Sequence, residues 1–156
     1  MTLFRPHPHP TRRRARARGF SLPELVFSLT IVGILSSIAY PAFSSTLASA
    51  RRSDALVALM SLQTQQERFR AHHEAYGDLA QLGVASVSPS GHYELTLESA
   101  SSTGYSVRAA AIGAQRSDRA CRHLRLTVDG LNLTYASGET DATANAGALN
   151  RRCWGQ

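Results

Sequence analysis

Residues 12–43 read RRRARARGFSLPELVFSLTIVGILSSIAYPAF, and the order of their parts decides how the chain is built. Arginines crowd the start, Gly19 marks a junction, and an apolar run follows that carries one acid, Glu24, almost at its beginning. From Leu25 to Phe43 there are 19 residues without a charge. As a helix they would span roughly 28 Å, close to the ~30 Å hydrocarbon core of a bilayer. Gly33, Pro41 and the hydroxyls of Ser28, Thr30, Ser36 and Ser37 interrupt the run; such hydroxyls bond back to the preceding helical turn. A helix of this moderate apolarity suits a segment that leaves lipid to pack against other helices. The positive flank comes first, which predicts a cytoplasmic N-terminus and an exported remainder. A secretory signal ends its apolar region with a small-residue cleavage site. Here the small residue, Gly19, precedes the apolar region, so a cut there removes the arginines and keeps the helix.

The chain of 156 residues holds 17 cations, all arginine, against 11 acids, for a net charge of +6. Six arginines (Arg5, Arg12, Arg13, Arg14, Arg16, Arg18) lie in residues 1–19 without an acid, which leaves 11 arginines against 11 acids from Phe20 onward. The basic balance therefore belongs to the leader, and whole-chain charge is no argument for a nucleic-acid partner. The length suits one modest domain with appendages. The two cysteines, Cys121 and Cys153, both fall in the last quarter. One disulfide between them would persist only in an oxidising compartment. Two free thiols in a cytosolic protein are the alternative, and the membrane segment upstream favours the bridge. It would close a loop of about 30 residues and contribute on the order of 3–4 kcal/mol by the chain-entropy estimate.

Helical spacing continues past Phe43. Leu56, Leu59, Met60 and Gln63 recur on one face, with Arg51, Arg52, Gln65, Glu67, Arg68 and Arg70 on the others. Asp54, Leu62, Gln66 and Phe69 also fit a half-buried helix, which the spacing ends near residues 73–76 with Gly77 as the stop. A helix from Ser21 to Ala75 would be about 80 Å long. After Gly77 the period becomes two. Tyr93, Leu95 and Leu97 alternate with Glu94, Thr96 and Glu98. Tyr105, Val107, Ala109 and Ala111 form a second stripe, and Leu124, Leu126 and Val128 a third. Asp129-Gly130 signals a two-residue hairpin into Leu131, Leu133 and Tyr135. Four short antiparallel strands with one face covered by the amphipathic half of the helix make an α+β domain. The tail from Ala136 is small and polar with little period.

The segment GFSLPELVFSLTIVGILSSIAYP resembles the class III signal and N-terminal helix of type IV prepilins. Gly19 matches the cleavage glycine, Phe20 the first mature residue, Glu24 the acidic fifth residue and Pro41 the helix-bending proline. Pro23 departs from the pattern, standing where pilins usually carry a bulky aliphatic residue. The segment RRSDALVALMSLQTQQERFRAHHEAYGDL is similar to the amphipathic helix of PilE-type minor pilins, through Asp54-Ala55, Gln63, Gln66-Glu67-Arg68-Phe69 and Tyr76. GHYELTL, GYSVRAAA, CRHLRLTVDG and the terminal RRCW extend the likeness to nearly the whole mature chain. The ComP type, which binds DNA uptake sequences, is similar to the same group.

The resemblance implies the type IV pilin fold: a long N-terminal α-helix on a four-stranded antiparallel sheet, with a disulfide-closed C-terminal loop. It divides the chain into a removed leader, 1–19, a transmembrane and filament-core helix, 20–43, and a globular pilin domain, 44–156. It implies cleavage between Gly19 and Phe20 and N-methylation of Phe20 by the prepilin peptidase, so that this chain is a substrate and not an enzyme. Glu24 reads in two compatible ways. Ser21-x-x-Glu24 is a capping-box pattern, with Pro23 in the first turn. In a filament, the carboxylate of one subunit would pair with the Phe20 amine of its neighbour. Pro41 is expected to bend or locally melt the helix, and Gly33 to weaken it.

The expected role is that of a minor subunit of a type IV pilus, entering the inner membrane and then joining major and minor pilins. It would serve biogenesis, twitching motility and adhesion. The alternatives are a ComP-like DNA receptor for natural transformation and a pseudopilin of type II secretion. Cys121–Cys153 bonding would draw Arg119, Arg122, Arg151 and Arg152 around one bridge, with Arg116 and Arg125 nearby. That patch is either a solvated or pilin-contacting face or a grip for DNA phosphates. No cofactor and no metal is expected: the histidines at 72, 73, 92 and 123 are scattered, and adjacent His72 and His73 point apart on a helix.

Overall fold

The computed structural model describes residues 19–140 and 145–156; apart from Gly19, the arginine-rich leader lies outside the described residues. The chain divides into two compact units, Met1–Ala39 and Tyr40–Gln156. One helix, α1 (Leu22–Arg70), runs through the boundary.

In the first unit, α1 starts where the Ser21 carbonyl accepts the Leu25 N–H at 3.1 Å. Ser21 is thus the residue at which the helix opens. Pro23 falls in the first turn, where an N–H has no helical partner to lose. The side chains from Leu22 to Ala39 are exposed on every face. Three of their hydroxyls are satisfied locally: Ser28 Oγ donates to the Glu24 carbonyl at 2.8 Å, Thr30 Oγ1 to that of Val26 at 2.9 Å and Ser37 Oγ to that of Ile34 at 2.7 Å. A hydroxyl closed in this way adds little polarity to the helix surface.

In the second unit the helix continues through Pro41 without local melting. A proline removes one backbone bond, and the turns on either side hold the helical path. From there a single stripe is buried: Ala48, Arg52, Ala55, Leu59, Leu62 and Gln66, at steps of four and three. Met60, expected on the inner face, is 59% exposed, and Val57 is 58% exposed. The run ALVALM is apolar on more than one face, and the sheet covers only one of them.

The helix ends at Arg70, earlier than its spacing suggested. His73 takes over the Phe69 carbonyl with its ring Nδ1 at 2.8 Å and stacks on the Phe69 ring, while Arg70 Nη1 donates to the His73 carbonyl. The returning chain is then clamped by a fully buried amide. Gln66 Nε2 donates to the Gly77 carbonyl at 2.8 Å, and Gln66 Oε1 accepts the Gly77 N–H at 3.0 Å. Gly77 is closely packed: a Cβ there would meet the Phe69 ring at 3.0 Å, and the ring would have to shift by a few tenths of an ångström to admit it.

Four strands follow: β1 (Tyr93–Ala100), β2 (Gly104–Ala111), β3 (His123–Asp129) and β4 (Asn132–Gly138). They pair antiparallel in sequence order, a meander. The predicted stripes face inward and form one core with α1, in which Tyr93, Tyr105, Val107, Leu124 and Leu126 are fully buried. The hairpin loop is Gly130-Leu131, one residue later than expected, since Asp129 pairs with Asn132. Gly130 takes a positive φ of 58°, which favours glycine there. Leu131 is consequently fully exposed instead of sharing the β4 stripe. The tail is more ordered than its composition suggested. α2 (Gly147–Trp154) closes on Gly155 in the left-handed conformation, and Trp154 packs on Tyr135 with ring centroids 4.6 Å apart.

Asp54 fixes the connection between α1 and β1. Its carboxylate accepts the Ser88 hydroxyl, the Ser90 N–H at 2.9 Å and the His92 N–H at 3.2 Å. Burial works to raise its pKa, but these donors outweigh burial and hold it below the ordinary carboxylate value. A carboxyl with a lowered folded pKa stabilises the fold above its unfolded value and loses that contribution as pH falls through the folded one. Asp54→Asn should therefore cost about 1.5–3 kcal/mol at neutral pH. In thermal unfolding, the gap to wild type should narrow as pH falls below about 4. A gap independent of pH would contradict the assignment.

Candidate functional site

Two sets of predicted residues lie in different parts of the chain. The first is N-terminal. Gly19 and the exposed Phe20 precede α1, and Glu24 stands in its first turn, where the helix dipole favours a negative charge. Beyond it, Leu25, Val26, Phe27, Leu29, Ile31, Val32, Ile34, Leu35 and Ile38 are all exposed. This stretch is long and apolar enough to cross a membrane. It combines one acid, a short non-helical lead-in and an apolar surface that none of the described residues covers.

The second set surrounds the disulfide. Cys121 and Cys153 are bonded, with Cα atoms 5.4 Å apart. Arg119 and Arg122 flank the first sulfur along the chain, and Arg151 and Arg152 precede the second. Arg119, Arg151 and Arg152 are exposed. Arg122 is half-buried; its Nε and Nη2 donate to the Arg116 carbonyl at 3.2 and 3.0 Å, which brings Arg116 into the group. Arg125 is engaged elsewhere. It sits on β3 opposite Arg108 of β2, and both bind Glu98: Arg125 Nε at 2.9 Å, Arg108 Nε at 3.0 Å. One acid thus bridges two like charges that would otherwise repel across the strands.

The helical spacing sets Arg52 on a face other than that of Leu56, Leu59 and Met60, and the structure buries it. Arg52 Nε and Nη2 grip Asp118 through Oδ2 and Oδ1 at 2.6 and 2.9 Å, and Nη1 reaches the Arg152 carbonyl at 3.3 Å. The hydrogen bond with Asp118 raises the Arg52 pKa, with burial opposing it. Gln115 completes the cluster. Its Nε2 lies 2.9 Å from the Ala48 carbonyl, 3.0 Å from the Tyr93 hydroxyl and 3.2 Å from Asp118 Oδ2. Burial pushes the Tyr93 phenol up to about 12, with the Gln115 hydrogen bond opposing it. The signal for Arg52 was in the sequence, since it occupies the same helical stripe as Ala48, Ala55 and Leu59. These contacts anchor the 3₁₀ turns Gly113–Ser117 and Arg119–Cys121, and with them the arginine-bearing loop, onto α1.

The tail is held to β4 and to the turn Arg119–Cys121 by amides. Asn145 N–H donates to the Ser137 carbonyl at 2.7 Å, Asn145 Nδ2 to the Ala120 carbonyl at 2.7 Å and Asn150 Nδ2 to the Tyr135 carbonyl at 2.8 Å. No group of three or more histidine, cysteine or acidic side chains that could hold a metal occurs among the described residues.

Residues 41–125 match the family described as type IV minor pilin ComP, DNA uptake sequence receptor. Residues 14–40 match the prokaryotic N-terminal methylation motif. The type IV major pilin protein PilA of Myxococcus xanthus (strain DK1622) is 39% identical over 69 residues, 44% of this chain. The match spans 31% of that relative's length.

Removing one partner of a buried ion pair strands the other charge and costs about 3–5 kcal/mol, whereas replacing both with apolar groups often costs far less. Arg52→Met and Asp118→Leu should each destabilise the protein by about that amount, and the double variant by clearly less than the sum. Denaturant unfolding of all three checks this. Additive losses would contradict a direct pair.

Proposed function

The chain belongs to the type IV minor pilin family, and on that premise we propose that it is a pilus subunit whose N-terminal segment is first its membrane anchor and then its means of assembly. Membership implies a structural protein, not an enzyme, processed by prepilin peptidase and assembled with other pilins. The observation that carries the reading is the order of features at 19–43: Gly19-Phe20, a first-turn Glu24, then apolar side chains exposed on every face.

Gly19 lacks a side chain and lets the scissile backbone extend into a protease. Cleavage there, at the end of the leader 1–19, frees a cationic amine on Phe20, and N-methylation leaves it cationic. A carboxylate in lipid costs roughly 2–3 kcal/mol or more at mid-membrane. Pairing the Glu24 carboxylate of an incoming subunit with the Phe20 amine of its neighbour offsets that cost and sets one axial register. The apolar faces of residues 20–43 then exchange lipid for other helices in the filament core, and Pro41 softens the helix for that transfer. Residues 44–156 remain as the globular domain. Before assembly the subunit is single-pass in the inner membrane with its leader cytoplasmic; afterwards it lies in the extracellular pilus among major and minor pilins. Twitching motility and adhesion are the activities such a filament serves.

A second reading is supported by the description of the matching family, a DNA uptake sequence receptor. The exposed Arg119, Arg151 and Arg152 beside the disulfide give this chain cations that could meet phosphates.

Processing is the direct test of the first reading. Intact-mass analysis should find a mature chain that begins at N-methylated Phe20, and Gly19→Ala should leave the leader attached. Normal processing of that variant, or another mature N-terminus, would contradict it. For the second, the full chain in detergent should bind a DNA duplex in a salt-sensitive way. Arg119→Ala with Arg152→Ala should lower the salt slope by roughly two. Absent binding, or an unchanged slope, would exclude those residues as the contact.

A further inference from the structure

On the outer face of the sheet, register sets Glu94 opposite Ala110, and Ala110 opposite His123. The methyl of Ala110 between two longer side chains leaves a dip. Arg116, from the 3₁₀ turn that follows β2, and Arg122, just before β3, stand at its rim. Together with Ile112 these residues line an open cavity of about 360 Å³, within the ~300–1,000 Å³ range of small-molecule sites.

The polar groups there are pre-set. Arg122 is braced through Nε and Nη2 against the Arg116 carbonyl, with Nη1 3.9 Å from Glu139 Oε1, which fixes the plane of its guanidinium and leaves Arg116 as the chief cation for a ligand. Arg108 Nη1 lies 3.4 Å from His123 Nδ1. Glu94 brings a carboxylate to the same cavity. That combination does not fit a bare phosphate chain, which would meet the repulsion of Glu94 and offer it no donor. It fits a compact molecule with one anionic group for the arginines, hydroxyl donors for Glu94, and a carbon–hydrogen face for Ala110 and Ile112.

We propose that this cavity binds an acidic monosaccharide unit, such as a uronic-acid residue of a surface polysaccharide. The site gives adhesion, as read above, a chemical target. It is tested on the isolated subunit, so its failure leaves processing and filament assembly untouched. The full chain in detergent micelles is titrated by calorimetry with D-glucuronate, D-glucose, inorganic phosphate and a short DNA duplex. Glucuronate should bind saturably and glucose should not. Arg116→Ala should weaken glucuronate roughly tenfold through the loss of a charge-assisted contact. Ala110→Leu fills the floor and leaves every charge in place, and it should weaken binding comparably. Glu94→Gln should weaken glucuronate but not phosphate. Unfolding midpoints close to wild type confirm that the variants are folded. The proposal is overturned if glucuronate fails to saturate, if phosphate or the duplex binds as tightly, or if Ala110→Leu binds like wild type.

Discussion

Arg52 is the point on which the distant parts of the globular unit converge. Its guanidinium ties α1 to Asp118, 66 residues away, and to the carbonyl of Arg152, 100 residues away. Asp118 lies between the two 3₁₀ turns, and Arg152 lies in the last turn of α2, next to Cys153. One buried pair thus holds in place the loop and the helix that the disulfide then locks covalently. The ionic contact orients the two segments and the disulfide limits how far they can separate in the unfolded chain. An uncompensated charge in this position would destabilise more than any surface pair in the molecule.

The same helix meets two environments. From Leu22 to Ala39 its apolar side chains are exposed among the described residues, and the hydroxyls of Ser28, Thr30 and Ser37 are turned back onto its own carbonyls. From Ala48 onward one stripe is covered by the sheet, and polar side chains on that stripe are each matched: Arg52 by Asp118, Gln66 by the backbone of Gly77. The unpartnered half needs lipid or other helices, and Glu24 is the group in it that neither environment satisfies without a counter-charge.

What could be read from the sequence was what is local. The uncharged run declares itself by composition and the strands by strict alternation, while Gly19, Phe20 and Glu24 stand out through the prepilin resemblance. The meander and the Cys121–Cys153 bond agree with that reading. Phase is harder: ALVALM offers apolar residues to two faces, so the spacing that correctly buries Leu59 and Leu62 also takes in Met60, which the structure exposes. Eight residues are too few to show a helical period, so α2 is not legible in the sequence, and its order comes from Asn145, Asn150 and Trp154 binding β4. Arg52 betrayed itself by sitting on a core stripe, but nothing local could name Asp118 as its partner. Arg125 was grouped with the disulfide arginines by proximity in sequence, whereas strand register gives it to Glu98.

The functional reading turns on a charge made after synthesis. In the proposed reading, removing the leader would strip six arginines, leave a chain whose side-chain cations and acids balance and place a new amine four residues before Glu24. The most direct measurement is the share of Glu24→Gln protein found in sheared pili relative to the inner membrane, by quantitative mass spectrometry, in cells that carry the native pilus machinery. Gln keeps the size and the helix but cannot ion-pair. The expected result is normal cleavage and methylation at Phe20 with the variant retained in the membrane. A wild-type share in the filament would contradict a role for Glu24 in docking.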